Sequence, residues 1–196
     1  HAEIKSLSSS FFKNVLENGN ELEAEFSDRS QKLITGGYNN QVTVVPGKTF
    51  LFIENENLRR EHLYRDDNGY FFSDSKKRIS KEEINSIVKN NPERISTNVI
   101  SRPLLQSWLM PTIAYIAGPG EIAYWAQIGG MFEKMNLKTP VVYPRLSATI
   151  VEPKIDRYIK KNDVNVENLP AKKSDFIDNY LKSGDADIFN STRISI

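Results

Sequence analysis

The stretch that most restricts the fold runs from Thr112 to Pro144, "TIAYIAGPGEIAYWAQIGGMFEKMNLKTPVVYP". A short apolar run, "TIAYIA", reads as a strand. A Gly-Pro-Gly turn follows, then a helix from Glu121 to about Met135, then a second strand, "PVVYP". A strand, helix, strand series is joined by a right-handed crossover that pairs the strands in parallel. This part of the chain therefore predicts an α/β layer, with "SATIVE" at 147–152 as a further strand.

The upstream pattern differs. Residues 1–40 read as helical: Phe11, Phe12, Val15 and Leu16 share a face by their i, i+4 spacing. Asn18-Gly19-Asn20 interrupts, Leu22 and Phe26 open a more polar second helix, and Gly36-Gly37 ends it. From Gln41 the period changes to that of strands: "QVTVV", "TFLFIE", "REHLYRD" and "GYFFS" form an antiparallel meander. Asn68-Gly69 reads as a two-residue hairpin turn, since both residues tolerate positive φ. His62, among charged neighbours, is expected to face solvent. Ser80 and Glu83 make a capping box before an apolar face of Ile84, Ile87 and Val88, and Asn90-Asn91-Pro92 stops that helix. "RISTNVISRPLLQSWLMP" then runs into a short helix. The end is polar and helical from 153 to 196, with Ser174 as a cap and Gly184 as a stop.

Charge and composition remove several function classes. The 26 basic and 25 acidic side chains nearly cancel, which leaves no broad basic field for nucleic acid and no polybasic segment for a membrane surface. No apolar run approaches the ~20 residues of a spanning helix. With 0 Cys, disulfides and thiolate chemistry are absent, which is compatible with a cytoplasmic protein. Two His are too few for a His-rich metal site, and no metal is expected. The start lacks the apolar centre of a signal peptide. A chain that begins at His1 and ends at "STRISI" without a closing element is expected to be a piece of something longer.

Gly118, Gly120 and Ala123 satisfy the G-x-G-x-x-[GA] spacing of a dinucleotide turn. Glycines let backbone approach a ligand, and a helix start offers free N–H groups and the positive end of a dipole. Two details weaken a dinucleotide reading. The fingerprint wants an acid at the end of the next strand, and here Tyr143-Pro144-Arg145 stands there. Glu121, placed at the helix start, repels a pyrophosphate and instead accepts hydrogen bonds from an ammonium or hydroxyl. The combination suits an amino acid or hydroxy acid, although an acid at a helix start also complements the dipole with no ligand at all.

Arg102, just before a short helix, can clamp a carboxylate or phosphate bidentately, with Gln106 a turn further on; the alternative is a surface ion pair. Arg145 and Ser147 follow the second parallel strand, at the carboxyl edge where such sheets bind ligands. Asn98 joins this group or serves the turn. Tyr124 and Trp125 anchor the core or stack on a ligand.

These residues together resemble a known family. "NVISRPLLQSWLMPTIAYIAGPGEIAYWAQIGGMFEKMNLKTPVVYPRLSATIVE" carries, in order, N-V-x-x-R-P-x-x-Q, A-Y-x-x-G-P-G-E-I-A-Y-W and Pro-Arg-x-S. It resembles the cysteine-adding ligases of bacillithiol biosynthesis, over roughly residues 40–155. The resemblance implies a Rossmann-like core laid out as in class I aminoacyl-tRNA synthetases, with connecting-peptide insertions and a C-terminal coiled coil that makes a homodimer. It implies joining of cysteine to the amine of glucosaminyl-malate, with ATP or another nucleotide as cosubstrate and no covalently bound cofactor. On this reading the fold class is α/β: residues 41–95 are a connecting-peptide-like insertion, 96–152 a partial Rossmann-like core, and 153–196 a helical segment leading towards the coiled coil. Gly118, Pro119, Gly120, Glu121, Arg102, Gln106, Arg145, Ser147, Asn98, Tyr124 and Trp125 are the candidate substrate-binding residues. The family's G-Q-Q and G-E-D-H-D-like segments are not found in this chain. The alternatives are a nucleotide-dependent oxidoreductase and a non-catalytic binding or assembly module.

Overall fold

The computed structural model describes residues 2–161. The chain divides into two compact units, the first ending at Leu146 and the second starting at Ser147. The first is a mixed α/β unit with a five-stranded antiparallel sheet and a two-stranded parallel one.

Three helices open it: α1 (Ala2–Leu7), α2 (Ser9–Glu17) and α3 (Gly19–Thr35). Phe11, Phe12, Val15 and Leu16 are all buried, as their spacing predicts. In α3 the buried positions Leu22, Phe26 and Ser30 fall four residues apart, on one stripe. That stripe serves two partners. Phe26 meets Phe50 edge-on at 5.9 Å, and the Ser30 hydroxyl accepts from the Gln127 amide at 2.9 Å. Helix α3 thus joins the antiparallel sheet to the α/β layer.

The antiparallel sheet has the order β4-β3-β2-β1-β5. Its strands are β1 (Lys48–Glu54), β2 (Arg60–Asp66), β3 (Gly69–Phe72), β4 (Arg78–Ile79) and β5 (Ile95–Thr97). Leu51, Ile53, Leu63 and Ile95 are fully buried in it. Two expectations for this region are corrected. "QVTVV" is not a strand but an irregular connection; Val42 spends its backbone N–H and C=O on the Gln127 side chain instead of on a ladder. The hairpin turn also sits one residue earlier. Asp66 pairs with Gly69, so Asp67 and Asn68 make the turn. Both keep negative φ, while Gly69 takes φ 112°. The Asp66 carboxylate accepts from the Asn68 N–H and holds the loop in that form.

Helix α4 (Lys81–Asn90) starts with the capping box expected of Ser80 and Glu83, both bonds present at 3.1 and 2.8 Å. A one-turn 3-10 helix (Pro92–Arg94) leads into β5, and α5 (Ser101–Leu109) follows. Next come β6 (Ala114–Ala117), α6 (Pro119–Lys134) and β7 (Val141–Pro144). β6 and β7 pair in parallel, in register from Ala114–Val141 to Ala117–Pro144, as the strand, helix, strand pattern requires. Tyr115 and Val142 pack inward, while Ile116, Val141 and Tyr143 on the other face are each at least 65% exposed. "SATIVE" forms no strand, which corrects that expectation, and residues 147–150 are exposed.

In the second unit, α7 (Pro153–Lys161) is amphipathic, with Ile155 and Tyr158 exposed and a Lys160–Asp156 ion pair one turn apart. The helix expected around Ser174–Gly184 lies outside the described residues. Among the described residues, no helix is long and apolar enough to cross a membrane.

Candidate active site

The Gly-Pro-Gly turn connects the carboxyl end of β6 to the start of α6. The helix begins at Pro119, two residues earlier than expected. Proline suits the first helical position, because its fixed φ is already helical and its missing N–H is not needed there. Glu121 is therefore the third helical residue, not the first, and it folds back. Its Oε2 accepts from the Gly118 N–H at 2.9 Å, the reciprocal half of a capping box. Its Oε1 accepts from the Tyr115 hydroxyl at 2.8 Å, with the Tyr124 hydroxyl at 3.5 Å. With Gly118 engaged and no N–H on Pro119, the N–H groups of Gly120 and Glu121 form the open end of α6.

Arg145 completes the cluster. Its backbone N–H donates to the Ala117 carbonyl at 2.7 Å, continuing the parallel ladder. Its guanidinium lies against Gly118, where a Cβ would come within 2.8 Å of Nη2. Glycine at 118 is what admits this approach, since its φ of −73° is ordinary for any residue. The Glu121 carboxyl is held below its usual range by the Gly118 N–H first, then by the Tyr115 hydroxyl, with Arg145 contributing through its charge. Burial, and then the hydrogen bond to Glu121, push the Tyr115 phenol well above its usual value. Tyr124 is raised mainly by burial, and Arg102 lies within its electrostatic reach.

The remaining predicted residues take varied places. Arg102 is exposed on the first turn of α5, and Gln106 is half-buried one turn on. Asn98 caps α5: its Oδ1 accepts from the Ile100 and Ser101 N–H groups at 2.9 and 3.0 Å. Trp125 is a core side chain, 4% exposed, stacked on Phe132 at 5.3 Å and tilted against Tyr115 at 4.8 Å. Ser147 is exposed and begins the second unit. The structure thus gathers Gly118, Glu121, Tyr124 and Arg145, with Arg102 nearby, and gives Asn98 and Trp125 structural work.

Two residues escape the sequence reading. Tyr115 orients Glu121; strand alternation in "AYIA" places it on the α6 side, so a signal existed. Gln41 lies beside Gly120, its amide about 4 Å from where a Cβ would stand. It is brought there by Gln127, fully buried in α6, whose amide accepts from the Val42 N–H and donates to the Val42 carbonyl, both at 2.9 Å. A lone glutamine within "YWAQIGGMF" marks such a buried clamp. Among the described residues, no three His, Cys, Asp or Glu side chains are grouped to hold a metal ion.

This arrangement offers cationic and N–H donors at a shared strand edge, beside a carboxylate already held in place. It can bind a small molecule with a carboxylate and a donor group. A pyrophosphate at the same helix start would meet the Glu121 charge.

Residues 1–146 match the family model described as bacillithiol biosynthesis BshC, N-terminal Rossmann-like domain. The match includes α1–α3, which the resemblance over 40–155 had left out. Relatives named "Putative cysteine ligase BshC" include that of Heliobacterium modesticaldum, 38% identical over 83% of this chain and 29% of that protein. The one from Bacillus pumilus is 35% identical over 85% of this chain and 31% of that protein. The one from Desulforamulus reducens is 32% identical over 97% of this chain and 36% of that protein. The chain spans about a third of the length of these curated relatives. It belongs to the BshC family of bacillithiol biosynthesis, and its first compact unit is the part that matches the family's N-terminal Rossmann-like domain.

Proposed function

We propose that the Gly-Pro-Gly turn and Arg145 form part of the substrate cleft of a ligase that adds cysteine to glucosaminyl-malate. The observation that carries this reading is the Arg145 guanidinium lying against Gly118, beside the Glu121 carboxylate. A nucleotide cosubstrate, ATP being the obvious one, activates the cysteine carboxylate. The acceptor amine attacks the activated carbonyl carbon, the amide bond forms, the phosphate-bearing group leaves with its bonding pair, and the amine sheds a proton. Arg145 and Arg102 neutralise substrate carboxylate or phosphate and stabilise charge that develops during acyl transfer. Glu121, with Tyr115 and Gly118 already on it, keeps a lone pair for an ammonium or sugar hydroxyl. In the whole protein, residues 41–95 serve as a connecting-peptide insertion, and the helical segment from 153 leads to a dimerising coiled coil in a cytoplasmic enzyme.

Arg102→Ala and Glu121→Gln in a full-length family member test these roles, with amide formation followed by mass spectrometry. Each is expected to lower kcat/KM by at least tenfold. Turnover unchanged in both variants would remove the assigned roles.

A further inference from the structure

An open pocket of about 320 Å³ lies between α3, β1 and the irregular segment Val42–Val45. Its apolar walls include Phe26, Val44, Phe50, Phe52 and Ile100.

The polar groups on its lining decide what it accepts. The Thr49 hydroxyl is spent on the Leu63 carbonyl at 2.8 Å. The Glu23 carboxylate is neutralised by Arg65 at 2.9 Å and accepts from the Gly47 N–H. The Asn98 oxygen is spent on the start of α5. Three nitrogen groups remain. The Asn98 amide NH₂ makes no hydrogen bond among the described residues. Lys48 forms no ion pair among them. The His62 Nδ1 is buried with no partner among the described residues, so His62, expected to face solvent, is half-buried; its ring lies on Phe52 with centroids 3.8 Å apart. The unspent groups are thus an ammonium, an amide NH₂ and an imidazole, against aromatic walls.

We propose that this pocket is a binding site for a small carboxylic acid with an apolar body, held by Lys48, Asn98 and His62. An apolar cavity of roughly 150 Å³ accommodates benzene, so the space here takes a ring with a carboxylate attached. The site is separate from the Gly118–Arg145 cluster and does not depend on the ligase reading.

Benzoate is the probe, and the His62 imidazole is the reporter. The chain has 2 histidines, and the His62 signals in a ¹H–¹⁵N ring spectrum are assigned by their loss in His62→Gln. Addition of benzoate to the complete chain at pH 7 is expected to move them saturably. Lys48→Ala is expected to weaken binding about tenfold, the scale of losing one charge-assisted contact, and Lys48→Arg to retain most of it. Val44→Trp, which fills the space, is expected to abolish the shift, whereas Arg145→Ala leaves it unchanged. A His62 signal that stays still up to about 20 mM benzoate, a concentration that detects even millimolar binding, overturns the proposal. So does benzyl alcohol binding as tightly as benzoate, or Lys48→Ala binding as tightly as the parent.

Discussion

The Glu121 carboxylate accepts the Gly118 N–H at 2.9 Å, so the residue that caps α6 is held by the helix's own third residue. The same carboxylate takes the Tyr115 hydroxyl, which ties the helix start back to the strand before it. The turn is therefore held in shape before any ligand arrives, and Arg145 lies against a fixed surface. Preorganisation of this kind is what lets a site act on charge as it develops.

Glu121→Gln tests the cap. Glutamine offers one acceptor where two oxygens are used, and its amide NH₂ opposes a donor. The expected loss is about 1 kcal/mol, or a fall in Tm of roughly 2–4 °C at this chain length. The pH dependence has a definite sign. Because the folded Glu121 carboxyl is held below its usual value, its contribution is complete above the unfolded pKa of about 4.3 and is lost as pH falls through the folded one. The Tm gap between parent and variant should narrow on acidification below about pH 4. A gap that is constant from neutral pH into that range would contradict the cap.

Gln127→Leu tests the clamp between α6 and the Val42 segment. It keeps the volume but leaves the Ser30 hydroxyl and both Val42 backbone groups without their partner. Groups orphaned in this way cost about 1–3 kcal/mol, and urea unfolding should show a loss of that order. Amide exchange at Val42 should speed up relative to the α6 core. Unchanged exchange there would mean the segment is held by something else.

Gly69→Ala tests the hairpin. At φ 112° a side chain is strained, so the urea midpoint should fall by the equivalent of about 1 kcal/mol or more. Asn68→Ala, at negative φ, should cost less. The opposite order would restore the turn that the Asn68-Gly69 pair suggested.

Much of this was readable from spacing alone. The buried stripe of α2, the α4 capping box and the parallel β6–β7 pair each follow from local pattern, because the side chains that decide them are neighbours in the chain. What was not readable depends on long-range partners. "QVTVV" has strand chemistry, but its Val42 backbone is taken by Gln127, 85 residues away. His62 alternates like an exposed residue, yet Phe52 across the strand pair lies on its ring and leaves it half-buried. At the site, residue identities in G-P-G-E-I-A-Y-W marked Glu121, but its direction depended on whether the helix began at Pro119 or two residues later. The Arg145–Gly118 approach needed both strand ends in space.

Arg145→Ala in a full-length family member carrying the same Gly-Pro-Gly-Glu turn is the most direct measurement. Arg145 is exposed, so Tm should stay within about 2 °C, as for most surface changes. Removal of a donor aimed at developing charge costs about a hundredfold or more. The account predicts a loss of cysteine–glucosaminyl-malate amide formation of that size, with the fold intact. A variant that folds normally and turns over within about twofold of the parent, far below that loss, would contradict it.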